Sequence, residues 1–124
     1  MSQSIFQHGS RWLKTDFHLH TRADKEFTYA GEANDFANQY VSAMAEANIG
    51  LGVITNHNKF DLDEFKALQK KARKAGVGLL PGVELSVKDG NAGIHTLVIF
   101  SDDWFRNKEQ TNHIQSFLTL TFAG

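Results

Sequence analysis

The stretch of sequence that decides the fold is Lys14-Thr15-Asp16-Phe17-His18-Leu19-His20-Thr21. Its polar and apolar residues alternate, and a period of two predicts a β-strand with successive side chains on opposite faces. Asp16, His18 and His20 are therefore expected on one face, and the two apolar residues between them are expected to pack on the other. Two imidazoles at this spacing can reach one metal ion, with Asp16 placed to accept the second ring N–H of a ligand histidine. Because H-x-H alone is a weak signal, the alternative is a half-buried edge strand with two solvated histidines.

The rest of the chain continues as alternating helices and strands. Helices connect the first strand to the second and the second to the third, and such crossovers are typical of an α/β fold with mainly parallel strands. The only proline, Pro81, and the adjacent Gly82 predict a bulge or bend in the third strand. The predicted elements in chain order are a strand at 14–20, a helix at 35–48, a strand at 51–55, a helix at 61–75, strands at 77–87 and 94–100, and a helix at 111–120.

The helix predicted at 61–75 has the clearest local signals in the chain. Asp61 is a good N-cap, and Glu64 three residues later completes the pattern of a capping box. Phe60 before the cap and Phe65 in the first turns form the pattern of a hydrophobic staple. The basic run in its C-terminal half is favoured by the helix dipole and is typical of a solvated helix face.

The composition is that of a globular domain without disulfides. The chain has 124 residues, of which 41% are apolar, enough for one domain with a modest core. No apolar run approaches the roughly 20 residues that span a membrane, and the N-terminus has no signal-peptide pattern. We therefore expect a cytoplasmic protein with no membrane partner. The chain has no cysteine, which leaves His, Asp and Glu as strong metal ligands, and its net charge of −1 gives no case for broad nucleic-acid binding.

Candidate ligands follow the ends of three predicted strands. His18 and His20 end the first strand, His57 follows the second in the stretch Thr55-Asn56-His57-Asn58, and Glu84 ends the third. The carboxyl ends of parallel strands meet at one edge of a sheet, where functional groups gather. His95 lies at the start of the fourth strand and fits this rule less well. Imidazole and carboxylate without thiolate suit Zn, Mn or Fe, and one carboxylate can bridge two ions.

Four motifs in order resemble those of the PHP superfamily, named after polymerase and histidinol phosphatase. The resemblance implies a distorted (β/α)₇ barrel with two or three divalent metal ions, acting mostly on phosphoesters. The chain resembles most the PHP domains that precede SMC-like or AAA-like ATPase regions in bacterial proteins, and such fusions are associated with nucleic-acid processing and defence against phage. The motifs are Asp16-Phe17-His18-Leu19-His20-Thr21, Thr55-Asn56-His57-Asn58, Pro81-Gly82-Val83-Glu84 and Gly93-Ile94-His95-Thr96-Leu97.

The same resemblance implies a set of metal ligands. His18 and His20 would bind a first ion, and Glu84 would bridge the first ion and a second. His95 would complete the second site, and His57 would bind a third ion. Asp16 and Glu84 are the candidate catalytic carboxylates.

The chain departs from the family pattern at several points. Asn56 stands where the family commonly has Asp, and Glu26 stands where a member can have His, so either Glu26 or Asp24 is left to complete the third site. The later family ligands are missing, and His113 is interpreted as a surface residue. We therefore interpret residues 1–124 as a single partial PHP domain, the N-terminal half of a barrel, which holds metal weakly and has little activity alone.

The leading functional hypothesis is a metal-dependent phosphoesterase with a phosphoester as substrate, and a nuclease acting on nucleic acid is one form of this hypothesis. Arg22 and Lys59 follow ligand positions and are candidates for phosphate binding, the alternative being solvated loop charges. The second hypothesis is a non-catalytic PHP module that binds metal or a phosphorylated ligand and regulates an attached SMC-like or AAA-like ATPase. The apolar ending with Leu118, Leu120 and Phe122 predicts self-association of the isolated chain.

Overall fold

The protein is a mixed α/β chain, and the computed structural model describes residues 12–25, 27–89 and 92–122. None of the helices in these ranges is long and apolar enough to cross a membrane. Short 3-10 helices cover Ala33–Asp35 and Asp102–Trp104. The strands are β1 (Thr15–Leu19), β2 (Leu51–His57), β3 (Gly78–Asp89) and β4 (Ala92–Ile99), and the helices are α1 (Phe36–Glu46), α2 (Leu62–Lys74) and α3 (His113–Thr121).

The four strands form one sheet in the order β1-β2-β3-β4. β1 pairs with β2, and β2 with β3, in parallel, whereas β3 pairs with β4 in the antiparallel direction. The prediction of mainly parallel strands joined by helical crossovers is confirmed. The sheet is curled as in part of a barrel, and the seven-fold repeat of the complete barrel stays a prediction.

β1 is less regular than its alternating sequence predicts. Asp16 is paired with Gly52 and Leu19 with Ile54, so β1 advances three residues while β2 advances two. This extra residue is a β-bulge, and it interrupts the strict alternation between Asp16 and Leu19. The prediction of a strand here is confirmed, but the predicted strict alternation of side chains between its two faces is wrong at the bulge. Phe17 was expected to pack against apolar neighbours, but on this bulged strand its side chain is 47% exposed.

β3 is more regular than predicted, because its register with β2 runs without a break from Leu51↔Gly78 to His57↔Glu84. The bulge predicted at Pro81 and Gly82 is therefore wrong. Glycine is needed at this point for close approach. A Cβ on Gly82 would lie 2.7 Å from the carbonyl oxygen of Val98 on β4 and about as close to side chains on β2.

The apolar core lies between the sheet and its helices, and it confirms the predicted start of α2. Asp61 is the N-cap and accepts the backbone N–H of Glu64 at 3.0 Å. The rings of Phe60 and Phe65 form the predicted staple with centroids 5.5 Å apart. The reciprocal half of the capping box was wrong, because the Glu64 side chain contacts the hydroxyl of Thr21 instead.

The last described helix differs in part from its prediction. Leu118 was grouped with an unshielded apolar ending, but it is buried against the core, whereas Leu120 and Phe122 are exposed. Large apolar side chains of the edge strand β4 are exposed as well, at Ile94 and Ile99. Self-association through such surfaces stays a prediction.

Candidate metal centre

Side chains from all four strands meet around Glu84, which lies in the second half of β3 and is 1% exposed. The carboxyl ends of the parallel strands β1, β2 and β3 lie at the same edge of the sheet. β4 runs in the opposite direction, so its start lies at this same edge, and Ser86 is paired with His95. His95 was expected to fit the strand-end rule poorly. The antiparallel direction of β4 is the physical reason that it joins the others.

The two carboxylate oxygens of Glu84 face two different pairs of histidines. Oε1 contacts His18 Nε2 and lies 3.7 Å from His20 Nε2. Oε2 contacts His57 Nε2 and lies 2.9 Å from His95 Nδ1. One buried carboxylate therefore divides four imidazoles into two groups, as expected of a carboxylate that bridges two ions.

The electrostatic surroundings keep Glu84 ionised. Burial by itself raises the pKa of a carboxyl group, but the neighbouring His95, His18 and His57 more than offset it, and the pKa of Glu84 lies below its usual value. The oxygens of this buried carboxylate and the imidazole nitrogens that face them are ligand atoms for a cation in the space between them.

Asp24, which follows β1 and is 3% exposed, lies on the opposite side of two of these rings. Its Oδ2 accepts the backbone N–H of His57 at 2.7 Å and lies 2.9 Å from His57 Nδ1. The same oxygen lies 3.8 Å from His20 Nδ1. The rings of His20 and His57 thus stand between two carboxylates, with Nδ1 towards Asp24 and Nε2 towards Glu84. A carboxylate in this position fixes the tautomer and orientation of a ligand histidine.

The residues present fit divalent metal ions. In the described part of the chain, three groups bring their ligand atoms within 4.8 Å of one another: His18-His20-Glu84, His20-Asp24-His57 and His57-Glu84-His95. His20 Nε2 is buried without a hydrogen-bond partner in this part of the chain, as expected of a nitrogen that binds a metal ion. Imidazole nitrogen with carboxylate oxygen suits Zn, Mn or Fe.

The other predicted site residues lie around this centre. Asp16 Oδ1 accepts the backbone N–H of His18 at 3.0 Å, and the position expected for Asp16, beside the second ring nitrogen of a ligand histidine, is held by Asp24 at His57. The Arg22 guanidinium lies 4.2 Å from the centroid of the Phe36 ring and 3.9 Å from Glu64 Oε2. Lys59 is exposed. The catalytic and phosphate-binding roles of these residues stay predictions, and Glu26 lies outside the described residues.

Sequence reasoning missed three residues that link the ligand strands to one another. Thr21, Asn56 and Glu64 form a hydrogen-bonded chain directly behind His20 and His57. The sequence marks Asn56 only as a departure from a family pattern, and it marks Glu64 only as part of a helix cap. The available signal was that Thr21 and Asn56 are polar residues directly adjoining predicted ligands at the ends of predicted strands.

Comparison with known proteins gives the fold. No protein-family model and no curated protein matches the chain. A solved structure from Bifidobacterium adolescentis, described as a candidate metal-dependent phosphoesterase, matches with a TM-score of 0.60 and 20% identity over 90% of this chain and 34% of its own. A two-domain protein from Bacteroides vulgatus, described as containing a PHP-like metal-dependent phosphoesterase, matches with a TM-score of 0.53 and 15% identity over 84% of this chain and 31% of its own.

An amidohydrolase from Chromobacterium violaceum, solved with bound sulfate and no metal, matches with a TM-score of 0.50 and 24% identity over 69% of this chain and 27% of its own. The chain therefore shares its fold with part of each of these solved proteins, two of which are described as metal-dependent phosphoesterases. It spans about a third of the length of the solved chains that it matches.

Proposed function

We propose that this chain forms part of the active site of a metal-dependent phosphoesterase of the PHP superfamily. The observation that carries the proposal is the division of the Glu84 oxygens between His18 and His20 on one side and His57 and His95 on the other. A single buried carboxylate shared by two histidine pairs is the arrangement expected for two neighbouring divalent ions, and two-metal sites of this kind serve phosphoester hydrolysis.

Each residue has a separate task in this proposal. Glu84 and its four histidines would hold the ions, and bound divalent ions would supply Lewis acidity and neutralise charge on phosphate oxygens. Asp24 holds the Nδ1 side of His57, so that Nε2 faces Glu84. Arg22 and Lys59 follow the ligand positions and are the candidates to bind the outer phosphate oxygens.

The test is metal-dependent cleavage by the chain loaded with Zn, Mn or Fe. A chromogenic phosphodiester is expected to be hydrolysed slowly and only with metal, and His57→Asn is expected to lose this activity. His113→Asn is the matched control, because His113 is an exposed residue at the start of α3. Equal activity of the two variants, or activity that survives removal of metal, would contradict the proposal.

We further propose that the substrate is a phosphodiester of nucleic acid and that the whole protein acts in phage defence with an attached SMC-like or AAA-like ATPase. The support is the motif resemblance alone. Cleavage of single- and double-stranded DNA and RNA by the metal-loaded protein, measured against a phosphomonoester, tests the substrate. Cleavage of the phosphomonoester alone would contradict the nuclease assignment.

A second candidate function is a non-catalytic module that uses the metal for structure or binds a phosphorylated ligand. The observation that favours it is the exposure of His18 and His95, whose side chains are 53% and 60% exposed, because an open site of this kind does not exclude water from a bound substrate. A protein that binds its ions tightly and cleaves none of the phosphoesters tested would favour this candidate over the hydrolase.

A further inference from the structure

Behind the metal centre, a buried chain of hydrogen bonds joins the ends of β1 and β2 to the first turn of α2. Thr21 follows the ligand His20 directly, and Asn56 precedes the ligand His57 directly. Thr21 and Asn56 are 0% and 2% exposed. The donors and acceptors of Thr21 and Asn56 must therefore find their partners within the protein.

The geometry fixes the direction of every hydrogen bond in this chain. The backbone N–H of Thr21 can only donate, so the amide atom 2.8 Å from it is Asn56 Oδ1. Asn56 Nδ2 then faces the Thr21 hydroxyl and donates to Oγ1 at 2.9 Å. Because Oγ1 accepts from Asn56, its own proton is left to donate to Glu64 Oε1, which it contacts.

The direction explains why an amide at position 56 is matched with a carboxylate at position 64. A carboxylate at position 56 would also need the single proton of the Thr21 hydroxyl, and Glu64 would lose its donor. Asn56 removes this conflict because its amide is an acceptor at one atom and a donor at the other.

We propose that Asn56, Thr21 and Glu64 form a hydrogen-bond relay of fixed direction that positions His20 and His57 for metal binding, with Glu64 as a positioning residue on α2. The inference rests on the proposed function for its metal and goes beyond it in assigning these three residues. None of the three contacts an ion in the proposal. They hold the polypeptide backbone beside His20 and His57, whose rings face both Asp24 and Glu84.

A direction-reversal experiment tests the relay. In Asn56→Asp two carboxylates compete for the one proton of the Thr21 hydroxyl, so the urea midpoint of the metal-free protein is expected to fall.

A double variant reverses the direction of the relay. Adding Glu64→Gln to Asn56→Asp supplies a hydrogen-bond donor at the α2 end of the relay. The amide introduced at position 64 can donate to Oγ1, while the hydroxyl donates to the carboxylate introduced at position 56. The double variant is expected to recover most of the midpoint. Asp63→Asn removes an exposed carboxylate from the same turn of α2 and is the control.

Metal binding tests the positioning role. Residues that orient ligands typically change metal affinity by about 10- to 100-fold when replaced, so Asn56→Asp is expected to lose affinity for Zn in this range, and the double variant to regain it. The absorption spectrum of the Co-substituted protein is expected to change in Asn56→Asp and to return in the double variant. Asp63→Asn is expected to keep the wild-type affinity and spectrum.

The outcomes separate this inference from the proposed function. A double variant no more stable than Asn56→Asp overturns the direction of the relay, whether or not metal binds. Wild-type affinity and spectrum in Asn56→Asp, with a lowered midpoint, overturn the positioning role and leave a structural network only. A wild-type chain that binds no metal overturns the proposed function together with the positioning role, while the midpoints still decide the relay.

Discussion

Removing the charge of Glu84 is expected to affect metal binding in a different way from removing the charge of Asp24. Glu84 belongs to two of the three ligand groups in the described part of the chain, and Asp24 belongs to one. Glu84→Gln keeps the size of the side chain but leaves only the His20-Asp24-His57 group with its carboxylate. Asp24→Asn leaves both groups that contain Glu84.

The size of the two effects follows from these positions. Loss of a partner that only orients a ligand costs about 10- to 100-fold in metal affinity. Asp24, at 2.9 Å from His57 Nδ1, has this position, so Asp24→Asn is expected within that range. Glu84 faces the Nε2 atoms themselves, so Glu84→Gln is expected to cost more than about 100-fold, or about 2.7 kcal/mol in binding free energy.

Titration calorimetry with Zn and Mn, followed by metal analysis after desalting, measures affinity and stoichiometry together. Glu46→Gln, which changes an exposed carboxylate in α1, is the control and is expected to bind as the wild type does. The reasoning is refuted if Glu84→Gln keeps wild-type affinity and stoichiometry. It is also refuted if the two site variants lose affinity equally, because Asp24 and Glu84 would then be equivalent ligands.

Three further substitutions test the helices and the edge strand that surround the site. Asp61→Ala removes the N-cap that accepts the Glu64 N–H, so a loss of about 1 kcal/mol is expected in urea denaturation, and an unchanged midpoint would mean that the cap is not needed. Tyr40→Phe removes the hydrogen bond from the Tyr40 hydroxyl to the His20 carbonyl oxygen (2.8 Å), and a loss of about 1 kcal/mol is expected by the same assay, with no loss if water replaces it. Ile99→Lys places a charge on the exposed edge strand β4 and is expected to lower the molar mass measured by light scattering, whereas an unchanged mass would argue against association through this edge.

The sequence predicted the elements whose signals are local. The start of α2 was found because cap and staple lie within five residues of one another, and their contacts form as expected at Asp61 and between Phe60 and Phe65. The parallel order of β1 to β3 followed from the helical crossovers. For the same reason His20, His57 and Glu84 were predicted to lie together, although β3 continues beyond Glu84 to Asp89 and Glu84 is not at its end as expected.

Features that depend on pairing between distant segments were not predictable in this way. The bulge in β1 carries no glycine to mark it, and it appears only in the register with β2. His95 is a different case, because the connection from β3 to β4 is short, with Asp89 paired with Ala92, and a short connection joins antiparallel strands. This signal was present in the sequence and was not used. The partner of Thr21 lies 43 residues away on α2, at a distance that no spacing rule covers.

The hydrogen bond that the Glu64 side chain makes shows that burial decides between two possible partners, the Asp61 backbone N–H and the Thr21 hydroxyl. In a capping box Glu64 would accept the backbone N–H of Asp61, a hydrogen bond with a net value of about 1 kcal/mol. Asp61 is only partly buried, so water can satisfy this N–H. The Thr21 hydroxyl is fully buried, and leaving its donor unpaired would cost about 1–3 kcal/mol. Glu64 therefore pairs with Thr21, and a residue that looks like part of a helix cap becomes a support of the metal centre.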